Sequence, residues 1–249
     1  MFRIKQRFNC RKKILGNCSG VTLIELSMVM VVAGIIISIL VGVVPLLVVN
    51  DRVYDTRDIM NNMDDAIQGY LKANRQMPCP DTDGDGLENR DDNGTASDPS
   101  DDSCSSYQGN LPFVTLGITS GEDAWKNRLD YAVYSDLIQT GTSSFCSDLV
   151  DFMNNSAVTT STDPGETDKL YVTSRSITPN RSINMAYIII SAGMKDMDQS
   201  GSRLDGFNFS APSYQFECEE RFADDSYDDI VKTRTLSYLY GKLCIGNQW

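Results

Sequence analysis

Residues Asp81 to Asp92 read Asp-Thr-Asp-Gly-Asp-Gly-Leu-Glu-Asn-Arg-Asp-Asp. Carboxylates stand at positions 1, 3, 5 and 12 of this string, with glycine at 6. Such spacing wraps hard oxygen donors around one ion, and the glycine permits the sharp turn; it is the spacing of an EF-hand calcium loop. Asp81, Asp83 and Asp85 would ligate by side chain and Leu87 by its carbonyl. Asn89 would ligate directly or through water, and Asp92 would close the shell. Two departures weaken the pattern: the closing residue is Asp rather than Glu, and Pro80 forbids a regular entering helix. The expectation is an isolated calcium loop of low affinity, about 10⁻⁴ to 10⁻³ M. A solvated acidic turn is the plain alternative.

Other site chemistry is narrow. The chain has no histidine, which removes Ser-His-Asp and Cys-His catalysis and every imidazole metal site. Seven cysteines occur, and the five from Cys79 onward form no Cys-x-x-Cys pair, so disulfides are the natural use outside the cytoplasm. Cys79 and Cys104 bracket the acidic loop, and a bridge there would stabilise the fold by about 3 kcal/mol. The pairing among Cys146, Cys218 and Cys244 stays open, with Cys218 to Cys244, leaving Cys146 over, as one option. A second string, Asp196 to Gly201, repeats the first half of a calcium loop, but Phe207 at its twelfth position cannot ligate.

These groups must be carried by something, and the first half of the chain says what. Residues 1–20 hold six basic residues and no acid. The remaining 16 of the 22 lysines and arginines face 34 acids, a net of −18, which disfavours a nucleic-acid partner. Met28 to Val49 then runs 22 residues without a charge, enough to cross a bilayer. Charge asymmetry about this run places the amino terminus in the cytoplasm and the rest beyond the membrane. A cleaved signal peptide is disfavoured, because the run is too long and stays apolar through Pro45 to Val49. An uncleaved signal anchor is not. Pro45 should kink the helix or melt it locally.

Past Asn50 the pattern becomes amphipathic. Val53, Ile59 or Met60, Met63, Ala66 or Ile67, and Tyr70 or Leu71 recur at helical spacing, with Asp51, Asp55, Arg57, Asp58 and Asp64 expected on the solvent face. That helix should end before Met77-Pro78. In the head, Leu111 to Ile118 reads as extended. Leu129, Tyr131 and Val133 alternate as in a strand with one buried face. Leu170 to Val172 reads as a strand, and the apolar run from Ile183 to Ser191 as a central one. Ser237 to Tyr240 fits a last strand or a short helix, and Trp125 reads as core.

Glu25 stands just inside the apolar stretch, where an acid is costly unless paired. The basic leader, Gly20, Val21-Thr22-Leu23-Ile24, Glu25 and the span resemble, in register, the prepilin leader of type IV pilins and type II secretion pseudopilins. The resemblance implies cleavage after Gly20 by a membrane prepilin peptidase, methylation of the new amine on Val21, and assembly into filaments with Glu25 neutralising a neighbouring subunit's amine. In the family the first mature residue is most often Phe; here it is Val. The implied fold is α+β and pilin-like: a leader (1–20), a transmembrane half-helix (21–50), an amphipathic half-helix (51–75) packed on an antiparallel sheet, and a head (76–249). Asp123-Ala124-Trp125-Lys126-Asn127 is similar to the Asp-x-Trp-Gly-Asn turn of major pseudopilins, with Lys126 replacing the glycine. Leu204 to Asn208 and Asp224 to Val231 resemble the family's acidic loop, which often binds calcium.

The function this implies is a non-enzymatic structural subunit of a secretion pseudopilus or a type IV pilus. Its partners would be the prepilin peptidase, other pilin-like subunits and the bacterial inner membrane, with the head periplasmic or on a surface filament. A calcium-dependent adhesin or binding module on a simple anchor is the alternative.

Overall fold

The computed structural model describes residues 22–91, 103–138, 145–155, 171–173, 182–209, 215–219 and 221–245. Gly20, Val21 and Asp92 lie outside them. The chain divides into two compact units, Met1–Val49 and Asn50–Trp249.

One helix, α1 (Leu23–Asn74, 52 residues), contributes to both. Thr22 caps it: its hydroxyl accepts the Glu25 N–H at 3.3 Å, so one exposed donor of the first turn is satisfied. In the first unit the helix continues through Pro45 instead of melting there, because proline removes only one backbone donor. No described residue of this unit is buried, and the helix is long and apolar enough to cross a membrane. At the other end Arg75 takes φ 58° and donates its N–H to the Leu71 carbonyl at 2.8 Å, a left-handed cap formed without glycine.

In the second unit, α1 buries Thr56, Met60, Met63, Asp64, Ile67, Gln68 and Leu71. The spacing is that of one helical stripe, and it joins a core that includes the sheet. Asp64 corrects the sequence expectation: it belongs to the buried face, not the solvent face. Its Oδ1 accepts the Tyr187 hydroxyl at 2.6 Å, and its Oδ2 accepts Arg234 Nη2 at 2.6 Å and Nε at 3.1 Å. A buried carboxylate is tolerable when both oxygens are satisfied in this way.

The head's elements, in order, are β1 (Arg90–Asp91), β2 (Ser103–Cys104), β3 (Gln108–Asn110), β4 (Asp130–Val133), α2 (Phe145–Asn155), β5 (Tyr171–Thr173), β6 (Ser182–Ser191), β7 (Gln215–Glu217), β8 (Ile230–Thr235) and α3 (Leu236–Leu239). β1 and β2 form a small ribbon. The main sheet sets β3, β4, β6 and β8 antiparallel, with Ile190 opposite both Asp130 and Val231. β5 pairs antiparallel with the first residues of β6, and β7 runs parallel to β5. β6 is central, as its apolar run requires: Met185 to Ile190 are all buried. In β4, Tyr131, Ala132 and Val133 are all buried, so both of its faces are covered rather than one.

One expectation fails here, and one open pairing is decided. Leu111 to Ile118 is a turn, not a strand; Val114 donates to the Gly86 carbonyl at 2.9 Å, and the backbone closes from Ile118 N–H to the Phe113 carbonyl at 2.8 Å. The second disulfide joins Cys146 to Cys244, not Cys218 to Cys244. Helix α2 packs against α3 and the turn that follows it, which brings Cys146 to Cys244; Cys218 stays a free, half-buried thiol. The Cys79–Cys104 bridge is formed as expected, and Ser237 to Tyr240 is helical.

Lys126 takes φ 72°, the left-handed conformation in which an L side chain is strained. Lys126→Gly is therefore expected to stabilise the head by about 0.5–1 kcal/mol. Thermal unfolding checks this as a rise of about 2 °C.

Candidate functional site

The 81–92 loop is organised from both sides. Glu88 points inward: Oε1 accepts the Tyr70 hydroxyl at 2.8 Å, and Oε2 accepts the Cys79 N–H at 2.9 Å and Arg90 Nη2 at 3.1 Å. Burial, then the Glu88 carboxylate, push the Tyr70 hydroxyl up to about 12. Arg90 in turn donates to the Met77 and Ile138 carbonyls, so the loop is pinned to the end of α1.

Inside this frame, ligand atoms of Asp81, Asp83 and Asp85 lie within 4.8 Å of one another. Asp81 is fully buried and accepts the Gly84 N–H at 2.6 Å and the Gly86 N–H at 2.9 Å. Gly86, at φ 86°, supplies the turn expected of it. Asp85 accepts the Leu87 N–H, and Asn89 Oδ1 accepts the Thr82 N–H at 2.6 Å. The structure thus brings together three of the six proposed ligands; Leu87 sits half-exposed on the loop. Arg128 Nη1 stands 3.9 Å from Asp81 Oδ2, a protein cation beside the buried member of the three aspartates.

A second acidic centre is more deeply buried. Ligand atoms of Asp205, Asp228 and Asp229 lie within 4.8 Å of one another, and those of Asp196, Asp198 and Asp205 form an adjoining group. Asp205 Oδ1 accepts the Met197 and Asp198 N–H groups, and its Oδ2 accepts the Asp228 N–H at 3.0 Å. Asp229 Oδ2 accepts the Asp205 N–H at 2.9 Å and Asn208 Nδ2 at 2.8 Å. Asp228 Oδ2 accepts the Met194 and Lys195 N–H groups. This leaves Oδ1 of Asp228 and Oδ1 of Asp229 buried with no hydrogen-bond partner. Both oxygens are buried, and Asp229 as a whole is only 5% exposed, so water does not satisfy them at low cost.

Electrostatics agree with the geometry. Burial pushes Asp229 up to about 8, and the Asp205 and Asp228 carboxylates add to it. Burial likewise raises Asp228 to about 6, against the two backbone N–H groups it accepts. Asp198 is held below its ordinary value, first by the Gly206 N–H and then by Ser200. The wall behind the centre is ionic: Glu217 pairs with Arg221, whose guanidinium lies 3.7 Å over the Tyr227 ring. A divalent cation among the three aspartates would supply the charge that protons otherwise supply. All-oxygen donors suit calcium or magnesium, not a soft metal.

Local spacing misses this centre because its ligands come from residues more than 20 positions apart. Its sequence signal is Asp205 together with the Asp-Asp-Ile-Val string; of the acids from 224 to 229, only Asp228 and Asp229 join.

Comparison of the chain with protein-family profiles, curated proteins and solved structures gave no match. The class is thus defined by architecture: a pilin-like α+β chain with an uncovered apolar half-helix, a second half-helix laid on an antiparallel sheet, two disulfides, and aspartate clusters able to hold a metal ion.

Proposed function

We infer that the chain is a pilin-like structural subunit, processed after Gly20 and assembled through its amino-terminal helix into a type II secretion pseudopilus or a type IV pilus. One observation carries this reading: a single helix whose first half is apolar and uncovered while its second half is buried in a folded head. In a lone subunit only lipid could cover that first half; in a filament, neighbouring copies would. Glu25 follows the Thr22 cap in the first turn, where a carboxylate faces the positive end of the helix and would meet a neighbour's amine. The disulfides fit a head outside the cytoplasm, and calcium is the proposed cofactor of the head. No catalytic role is proposed, since the buried acids bind backbone N–H groups and the chain has no histidine.

Mass spectrometry of the mature amino terminus tests the processing. The expected first residue is Val21, methylated; a membrane-inserted chain still beginning at Met1 would remove the reading. Glu25→Ala should insert in membrane yet fail to enter filaments. The buried, unpartnered aspartate oxygens favour a second reading, a calcium-dependent binding module on a simple anchor. An unprocessed chain that binds calcium would select it.

A further inference from the structure

We propose that a cation at the Asp205–Asp228–Asp229 centre controls how firmly the first head turns of α1 are docked, through a hydrogen-bonded relay across the 123–127 turn. The proposal rests on reading that centre as a metal site.

The relay begins on the helix. Arg52 Nη1 donates to the Ala124 carbonyl at 3.3 Å, and the Ala124 N–H donates to the buried Thr56 hydroxyl at 3.2 Å. Ala124 thus ties both helix residues to the 123–127 turn, accepting from Arg52 and donating to Thr56. Its turn is held by Asp123, 2% exposed, whose Oδ1 accepts the Trp125 N–H at 2.8 Å and the Asn127 N–H at 2.9 Å. From there two links reach the end of β6. Ser191 Oγ donates to Asp123 Oδ2 at 2.7 Å, and Asn127 Nδ2 donates to the Gly193 carbonyl at 2.8 Å.

Gly193 joins the relay to the acidic centre. It takes φ 62°, and a Cβ there would lie 2.4 Å from the Asp228 carbonyl oxygen, so only glycine permits the approach. The next two N–H groups, of Met194 and Lys195, both donate to Asp228 Oδ2. One Asp228 oxygen therefore holds the backbone that holds the turn, and its other oxygen is buried and unpartnered. Without a cation nothing holds Asp228 Oδ1, and Asp228 is the least buried of the three acids. With one, its carboxylate is fixed, and with it residues 193–195, Asn127 and Ala124. Arg52 stands three residues past Val49, the last residue of the uncharged run. Cation binding would then order the helix where the chain leaves its apolar stretch.

The test is amide hydrogen exchange on the full chain in detergent micelles, with calcium chloride or with a chelator, beside calorimetry of calcium binding. Calcium should slow exchange about tenfold over residues 50–58, 123–128 and 193–198, the effect of restoring hydrogen bonds of ordinary net strength. Residues 63–68, where α1 buries Met63, Asp64, Ile67 and Gln68, should change little. Asn127→Ala should bind calcium with unchanged stoichiometry yet lose the slowing over 50–58. Thr56→Val, which removes only the acceptor at the helix end, should do the same while keeping the slowing over 193–198. Calcium binding with no change over 50–58, or full slowing in both variants, overturns the relay and leaves the metal centre standing. Absence of calcium binding in the calorimeter overturns the metal centre and the relay with it.

Discussion

Asp64→Ala is expected to lower the thermal unfolding temperature of the full chain by about 10 °C, a loss of about 3–5 kcal/mol. The removed carboxylate is the only acid paired with Arg234 in the described ion pairs, and it also accepts the Tyr187 hydroxyl. The guanidinium keeps the Thr233 carbonyl and the Tyr238 ring, 4.7 Å away, but loses its counter-charge in a largely buried place. Tyr187, already pushed well up by burial and then by the Asp64 charge, would lose its acceptor. The cost comes from the groups left behind, which gives a sharp control. Replacing the set together, with Asp64→Leu, Arg234→Met and Tyr187→Phe, should recover most of the stability, because a well-packed apolar cluster often matches a buried ion pair. If the triple variant unfolds as early as Asp64→Ala, the clasp is not the source of the loss. Circular dichroism in mild detergent reads both.

That clasp also shows where sequence reading stops. An aspartate on a helix with Asp51, Asp55 and Asp58 reads as solvent-facing, and the reading is wrong because its partner lies 170 residues away. Local patterns behaved differently. The apolar stretch, the helical stripe from Met60 to Leu71 and the central strand β6 are legible because each carries its own period or its own unbroken hydrophobicity. Helix α2 carries a signal too, in Phe145, Leu149, Phe152 and Met153 at helical spacing, but its flanks are rich in Ser, Thr and Gly and hide its ends. The disulfide partner of Cys244 was not legible, since parity leaves three cysteines to share one bridge and only the packing of α2 selects Cys146. The metal sites divide the same way. Asp81, Asp83 and Asp85 follow from spacing alone, whereas Asp205 meets Asp229 across 24 positions of sequence, through a contact that only the fold makes.

Calcium is expected to stabilise the head, and by more as pH rises. The sign follows from the two raised carboxylates. Asp229 at about 8 and Asp228 at about 6 both lie above the ordinary 3.8, so between these limits the metal-free folded head binds more protons than the unfolded chain. Their contribution to stability is fully present below about pH 4 and is lost as pH rises through about 6 and then about 8. Calcium needs the deprotonated oxygens, so its affinity rises over the window in which the metal-free head weakens. At about 100 times its dissociation constant a bound ion adds about 2.7 kcal/mol, or roughly 5–10 °C for a head of this size. The gap between calcium and chelator melts should therefore widen from pH 5 to pH 8.5. Asp229→Asn keeps the hydrogen-bonding shape and removes the charge; it should flatten the metal-free pH dependence and remove most of the calcium shift. Asp81→Asn assigns whatever shift remains to the 81–92 loop. A gap that narrows with pH would count against the buried centre. So would a gap untouched by Asp229→Asn but abolished by Asp81→Asn, because calcium would then be held by the loop that spacing alone identifies.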